Sequence, residues 1–112
     1  MEIVERIVSD VTILDLKGEL TIGEPVELLR EKIYAHLAKD TKKIMVNFER
    51  APVVDTTGFG WLRYGLSLVE RRGHKLTLIN VAKGVKDLNM VTQLMGAFDT
   101  CENENEGIRN LR

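Results

Sequence analysis

Residues 42–81 read KKIMVNFERAPVVDTTGFGWLRYGLSLVERRGHKLTLINV, and the succession of two periodicities within them decides the fold class. Over the first part, Ile44, Val46 and Phe48 alternate with Lys43, Met45 and Asn47, which is the period of a strand. Both faces carry apolar character, as an interior strand requires. Pro52 then holds Ala51 extended, because the proline ring clashes with a helical preceding residue. From about Gly58 the period changes: Phe59, Leu62, Leu66 and Val69 mark one helical face. Trp61, Tyr64 and Leu68 fall on a second face of the same helix. Burial is the expectation for them, and a partner-binding patch is the alternative, since Trp and Tyr often anchor interfaces. Arg71 and Arg72 suit the negative end of the helix dipole, and Gly73 suits the position just past it. HKLTLINV returns to strand periodicity.

Outward from this unit the alternation continues. Residues 2–8 and VTILDL at 11–16 are two β-rich runs joined by the turn signal Ser9-Asp10, which predicts a hairpin. KGELTIGEP breaks the pattern, and Pro25 fits the first turn of a helix, where its missing N–H costs nothing. That helix is expected to bury Val26, Leu29, Ile33 and Leu37, to expose Glu27, Arg30, Glu31 and Lys32, and to end near Lys39-Asp40. A third helix is expected within KGVKDLNMVTQLMG, burying Val85, Leu88, Thr92 and Met95 and ending at Gly96. AFDTC predicts a short strand, and ENENEGIRNLR a short last helix or a frayed tail. Helices alternating with strands argue for an α/β fold. The expected architecture is a single domain over 1–112 with an N-terminal hairpin, a mixed sheet of about five strands and about four helices.

The chain has 112 residues and a formal net charge of −1. That balance speaks against a nucleic-acid module and against a polybasic membrane anchor. The single cysteine, Cys101, cannot close an intrachain disulfide, which fits a reducing compartment. No apolar run approaches the roughly 20 residues of a membrane span. MEIVERIVSD is acidic where a signal peptide needs basic residues, so a cytoplasmic site is expected, with neither membrane nor nucleic acid as partner.

The chemistry of interest lies where the first periodicity gives way to the second. Asp55, Thr56 and Thr57 sit at the carboxyl end of a strand, where α/β proteins place functional groups. Four readings are open. Asp55 or Thr56 can cap the helix, whose first N–H groups lack partners. Gly58-Phe59-Gly60 is a fragment of a glycine-rich anion cradle, but the full spacing and the Walker lysine are missing. A threonine nucleophile would need a base, and the two histidines, His36 and His74, are both expected to face solvent. No ligand spacing for a metal is present, and no residue is assigned to catalysis or to a cofactor. The fourth reading is a phosphoacceptor. A phosphate at a helix N-terminus is compatible with the fold, because the dipole favours negative charge there, yet it rewrites the surface.

The chain resembles the anti-sigma-factor antagonist family, built on the STAS domain. VTILDLKGELTIGEPVELLREKI is similar to the family's opening, a strand running into Gly-Glu-Leu, a loop and a helix. KKIMVNFERAPVVDTTGFGWLRYGLSLVERRGHKLTLINV is similar to its centre, with the Asp-Ser-Ser/Thr-Gly motif between strand and helix. The resemblance implies a non-enzymatic switch. The unmodified protein binds an anti-sigma factor that is also a serine/threonine kinase, and a sigma factor is released. Phosphorylation of the hydroxyl residue after the motif's aspartate ends binding, and a serine/threonine phosphatase reverses it. Transferred here, the acceptor is Thr56, and the partner surface is Thr21, Ile22, Gly23, Asp55, Thr56, Thr57 and Gly58. Two departures stand out: Thr56 where the family usually has serine, and Thr21 where aspartate commonly follows Gly-Glu-Leu. The alternative is a constitutive STAS scaffold, a subunit of a larger signalling or transport assembly without phosphoswitching.

Overall fold

Ser9, at φ 57°, turns the chain so that β1 (Glu2–Val8) and β2 (Val11–Lys17) pair antiparallel with Val8 opposite Val11. The computed structural model describes residues 1–112. β3 (Lys43–Arg50), β4 (Lys75–Ile79) and β5 (Thr100–Cys101) then add in parallel, giving one five-stranded mixed sheet in the order β1-β2-β3-β4-β5. The sequential order follows from the connections. Each parallel step is bridged by helix: α1 (Glu24–Ala38), α2 (Thr56–Arg71), and then α3 (Val81–Gly84) with α4 (Leu88–Ala97).

Strand alternation divides the interior in two. Leu14, Leu16, Ile44, Val46, Phe48, Leu76 and Leu78 face α1, α2 and α4 and form the larger core. Val11, Ile13, Met45, Ile79 and Cys101 point to the opposite face, where α5 (Glu104–Asn110) and Leu111 cover them. The expected α1 face, Val26, Leu29, Ile33 and Leu37, is buried as read. Gly73 takes φ 75° just past α2, as its position predicts.

Several expectations are corrected. The helix expected over 83–96 is two helices, because Val85 is extended and Asp87 opens a fresh N-terminus by accepting from Asn89 and Met90 N–H. The new start shifts the phase, so Met90, Val91 and Leu94 are buried while Leu88, Thr92 and Met95 are exposed. The helices consequently number five, close to the expected count of about four. The histidines do not face solvent. His36 is buried against the edge strand, with Nε2 2.7 Å from Glu5 Oε1 and Nδ1 2.9 Å from Thr41 Oγ1. The His74 ring is also largely buried and lies 2.7 Å from Asp40 Oδ1. Trp61 and Leu68 are half-buried against the core edge, whereas Tyr64 is exposed.

A line of polar side chains crosses the sheet beneath α5. Arg6 donates to Asp15 at 2.6 and 3.1 Å and to Glu104 at 2.5 Å, and Asn47 donates to Asp15 at 2.8 Å. Desolvation opposes ionisation of Asp15, but the hydrogen bonds from Arg6 and Asn47 outweigh it and hold the carboxyl below its ordinary value. A depressed carboxyl contributes stability above its unfolded pKa, and the contribution vanishes as pH falls through the folded one. Thermal stability is therefore expected to decline as pH falls below about 4, the ordinary aspartate value. Asp15→Asn, less stable at neutral pH, should show a shallower decline in a melting series.

Candidate functional site

The site is built where the β2–α1 loop meets the start of α2. Beyond the end of β2 the parallel pairing resumes for one bridge, Leu20 with Val54. Leu20 N–H donates to Val53 C=O at 2.8 Å, and Asp55 N–H donates to Leu20 C=O at 3.2 Å. Leu20 itself is fully buried. The loop is thus laid against the strand end by backbone bonds, before any side chain acts.

Asp55 then locks the junction. Its backbone is extended at φ −90°, ψ 178°, and its Oδ1 accepts from Gly58 N–H at 2.7 Å, which makes it the N-cap of α2. An aspartate cap is worth about 1 kcal/mol. Its second oxygen, Oδ2, accepts from Ile22 N–H at 2.9 Å. One carboxylate therefore joins the helix start to the loop that precedes α1. Gly58 allows the close approach: a Cβ there would collide with the Leu20 carbonyl oxygen. Gly23, at φ 103° and ψ −139°, turns the loop into α1 through a conformation open to glycine.

Helix α2 begins at Thr56, two residues before the position expected from Gly58. Thr56 and Thr57 occupy its first two positions, and both are exposed. Their N–H groups precede the point at which intrahelical bonding starts. No acidic residue lies in the first turn, so Asp55 supplies the negative charge at this helix start. Ile22 and Gly23 are exposed, Thr21 is half-exposed and Gly58 is buried. The structure thus brings all seven residues of the expected partner surface to one end of the sheet, six of them at least partly accessible. Gly58 shapes the site from beneath.

Two exposed apolar residues lie at this end that sequence reading did not place there. Val53 is 40% exposed, and Leu88, at 79%, stands at the start of α4. The two segments are joined by Lys86 N–H, which donates to Pro52 C=O at 3.0 Å. With Ile22, 71% exposed, they add apolar side chains to the strand end that carries Thr56. Leu88 was assigned to the core because it falls at helical spacing from Val85. The signal that would have freed it is Asp87, a strong capping residue ahead of an apolar run.

The chemistry available here is that of a surface rather than a pocket. The larger cavities are lined by other residues. Both histidines are engaged elsewhere, with Glu5 and Asp40. No group of three or more His, Cys, Asp or Glu side chains is arranged to hold a metal ion. No helix is long and apolar enough to cross a membrane.

Comparison with known proteins gives a consistent picture. The STAS domain family model matches residues 2–107. No curated protein matches. Among solved structures, TM1081 of Thermotoga maritima, provisionally described as an anti-sigma factor antagonist, is similar with a TM-score of 0.84 at 22% identity, over 98% of this chain and 94% of its own. The anti-sigma factor antagonist SpoIIAA in its unphosphorylated form is similar at 0.75 and 21%, over 97% and 96%. The Bacillus cell fate determinant SpoIIAA in the phosphorylated form is similar at 0.73 and 24%, over 99% and 100%. At these identities the likeness establishes the fold.

Proposed function

This chain belongs to the STAS domain family, and from that premise we propose that it is an anti-sigma factor antagonist, a binding protein without an enzymatic activity of its own. In its unmodified form it docks on an anti-sigma factor that is also a serine/threonine kinase, so that a sigma factor is released in the cytoplasm. The docking surface is Thr21, Ile22, Gly23, Asp55, Thr56, Thr57 and Gly58, extended by Val53 and Leu88. The kinase transfers the γ-phosphoryl group of its ATP to Thr56 Oγ1, with loss of the hydroxyl proton, and binding ends. A serine/threonine phosphatase hydrolyses the ester and restores the surface.

The observation that carries this reading is the placement of Thr56. Thr56 is exposed at the first position of a helix whose cap, Asp55, also holds the Ile22 loop. A phosphate there adds about two negative charges beside an existing carboxylate, at a helix end that tolerates them. The fold is spared while the surface becomes hostile to a closely packed partner. The reading is tested by size-exclusion chromatography of the native chain with its cognate kinase. Co-elution that is lost once ATP is supplied is expected. A complex that persists with ATP and is indifferent to substitution of Thr56 would instead mark a constitutive scaffold.

A further inference from the structure

A cavity of about 430 Å³ opens at the carboxyl ends of β4 and β5, between α3 and α5, away from the Thr56 junction. Its volume lies in the range of small-molecule sites. Val81, Met95 and Cys101 supply apolar wall, and Glu102 and Glu106 line its polar side. The only basic residue on its wall, Lys83, is drawn off by Glu49 at 2.9 Å. Neither Glu102 nor Glu106 has a cationic partner in the protein, so the cavity carries uncompensated negative charge. That charge is felt locally: burial first, then Glu106 and Asp99, pushes the Cys101 thiol up.

A second feature points to a ligand. Asn80, held at φ 59° and nine-tenths buried, lines the same cavity. Its amide orientation is dictated by neighbours. Asp15, engaged by Arg6, can only accept, so Asn47 must present Nδ2 to it at 2.8 Å. Asn47 Oδ1 is thereby fixed as an acceptor, a role confirmed by Glu49 N–H at 3.0 Å, and Asn80 must present Nδ2 to that oxygen at 2.9 Å. Asn80 Oδ1 is left without a protein donor. Since no fully buried side-chain polar atom lacks a partner, this oxygen retains some exposure, on a residue that lines the cavity.

We propose that the cavity binds a small primary amine in its ammonium form, a function separate from the Thr56 switch. The ammonium donates to Asn80 Oδ1 and to the Glu106 or Glu102 carboxylate, and the apolar body rests on Val81 and Met95. An anionic ligand is disfavoured by the two unpaired carboxylates, and a neutral one forgoes the charge-assisted bond.

The test uses the whole chain with benzylamine as probe and benzyl alcohol as its uncharged counterpart, followed by amide NMR. Saturable shifts centred on Asn80, Cys101 and Glu106 are expected with benzylamine alone, together with slower alkylation of Cys101 by iodoacetamide. Glu106→Gln should weaken binding by about tenfold or more, the usual loss for a charged hydrogen bond. Asn80→Gly, which keeps the left-handed backbone, should do likewise; should it fail to fold, Glu106→Gln decides. Shifts elsewhere, an equal response to benzyl alcohol, no saturable response, or unchanged affinity in a natively folded Glu106→Gln protein would each overturn the proposal.

Discussion

Thr56→Glu is expected to lower affinity for the cognate kinase by about a hundredfold or more, the size of effect that like charges and desolvated unpaired oxygens produce in an interface. The substitution adds negative charge at the first position of α2, beside Asp55, whose carboxylate already occupies the Gly58 and Ile22 N–H groups. Those donors are therefore not free to neutralise the new charge, and position 56 is exposed. The same placement predicts that the fold survives. Acidic residues are favourable in a first helical turn, so the melting temperature should stay close to that of the native chain. Thr56→Ala separates charge from shape: it removes the hydroxyl, adds no charge and should bind with nearly native affinity. Calorimetry on the three proteins decides. Equal affinity for native and Thr56→Glu would remove the electrostatic basis of the switch.

Gly84→Ala is expected to destabilise the domain by about 3 kcal/mol, in the upper range for an overpacked site. In a protein of this size that corresponds to roughly 15 °C in melting temperature. A Cβ on Gly84 would fall on the carbonyl of Phe48 and against Glu49 Cα, which are backbone of the central strand and cannot swing aside. Relief requires α3 to move off β3, and α3 leads directly into the segment that holds Pro52 through Lys86. The damage should accordingly reach the Thr56 end of the sheet as well as the core. Gly60→Ala is the control. Nothing lies within 4 Å of its missing Cβ, and it sits inside α2, so alanine should stabilise by about 0.5–1 kcal/mol. Thermal denaturation of both variants tests the packing; a native-like melt for Gly84→Ala would contradict it.

Much of this architecture was legible in the residues because periodicity reports burial directly. The alternation of Ile44, Val46 and Phe48, and the helical spacing of Val26, Leu29, Ile33 and Leu37, are consequences of the faces they present to one core. The Asp55 cap was legible for the same reason: a carboxylate before a helix has a local task. Its second bond, to Ile22 N–H across the loop, was not legible, because the partner lies 33 residues away in sequence. Leu88 was misplaced because periodicity carries no phase once a helix has been broken, and the chain breaks where Val85 is extended and Asp87 caps a new helix. His36 was misplaced because its burial depends on an edge strand 31 residues earlier that supplies Glu5 as partner. Pairings set by topology, rather than by neighbours in the chain, are what sequence pattern leaves unspecified.

The central claim is that Thr56 carries the switch. Its most direct test is incubation of the native chain with the cognate kinase and ATP, followed by residue-level mass spectrometry and a repeat of the binding measurement on the modified protein. One phosphate is expected, on Thr56, absent from Thr56→Ala, with loss of the kinase complex on modification. Phosphate on another residue, or an unmodified Thr56 with a kinase shown to be active, would contradict it.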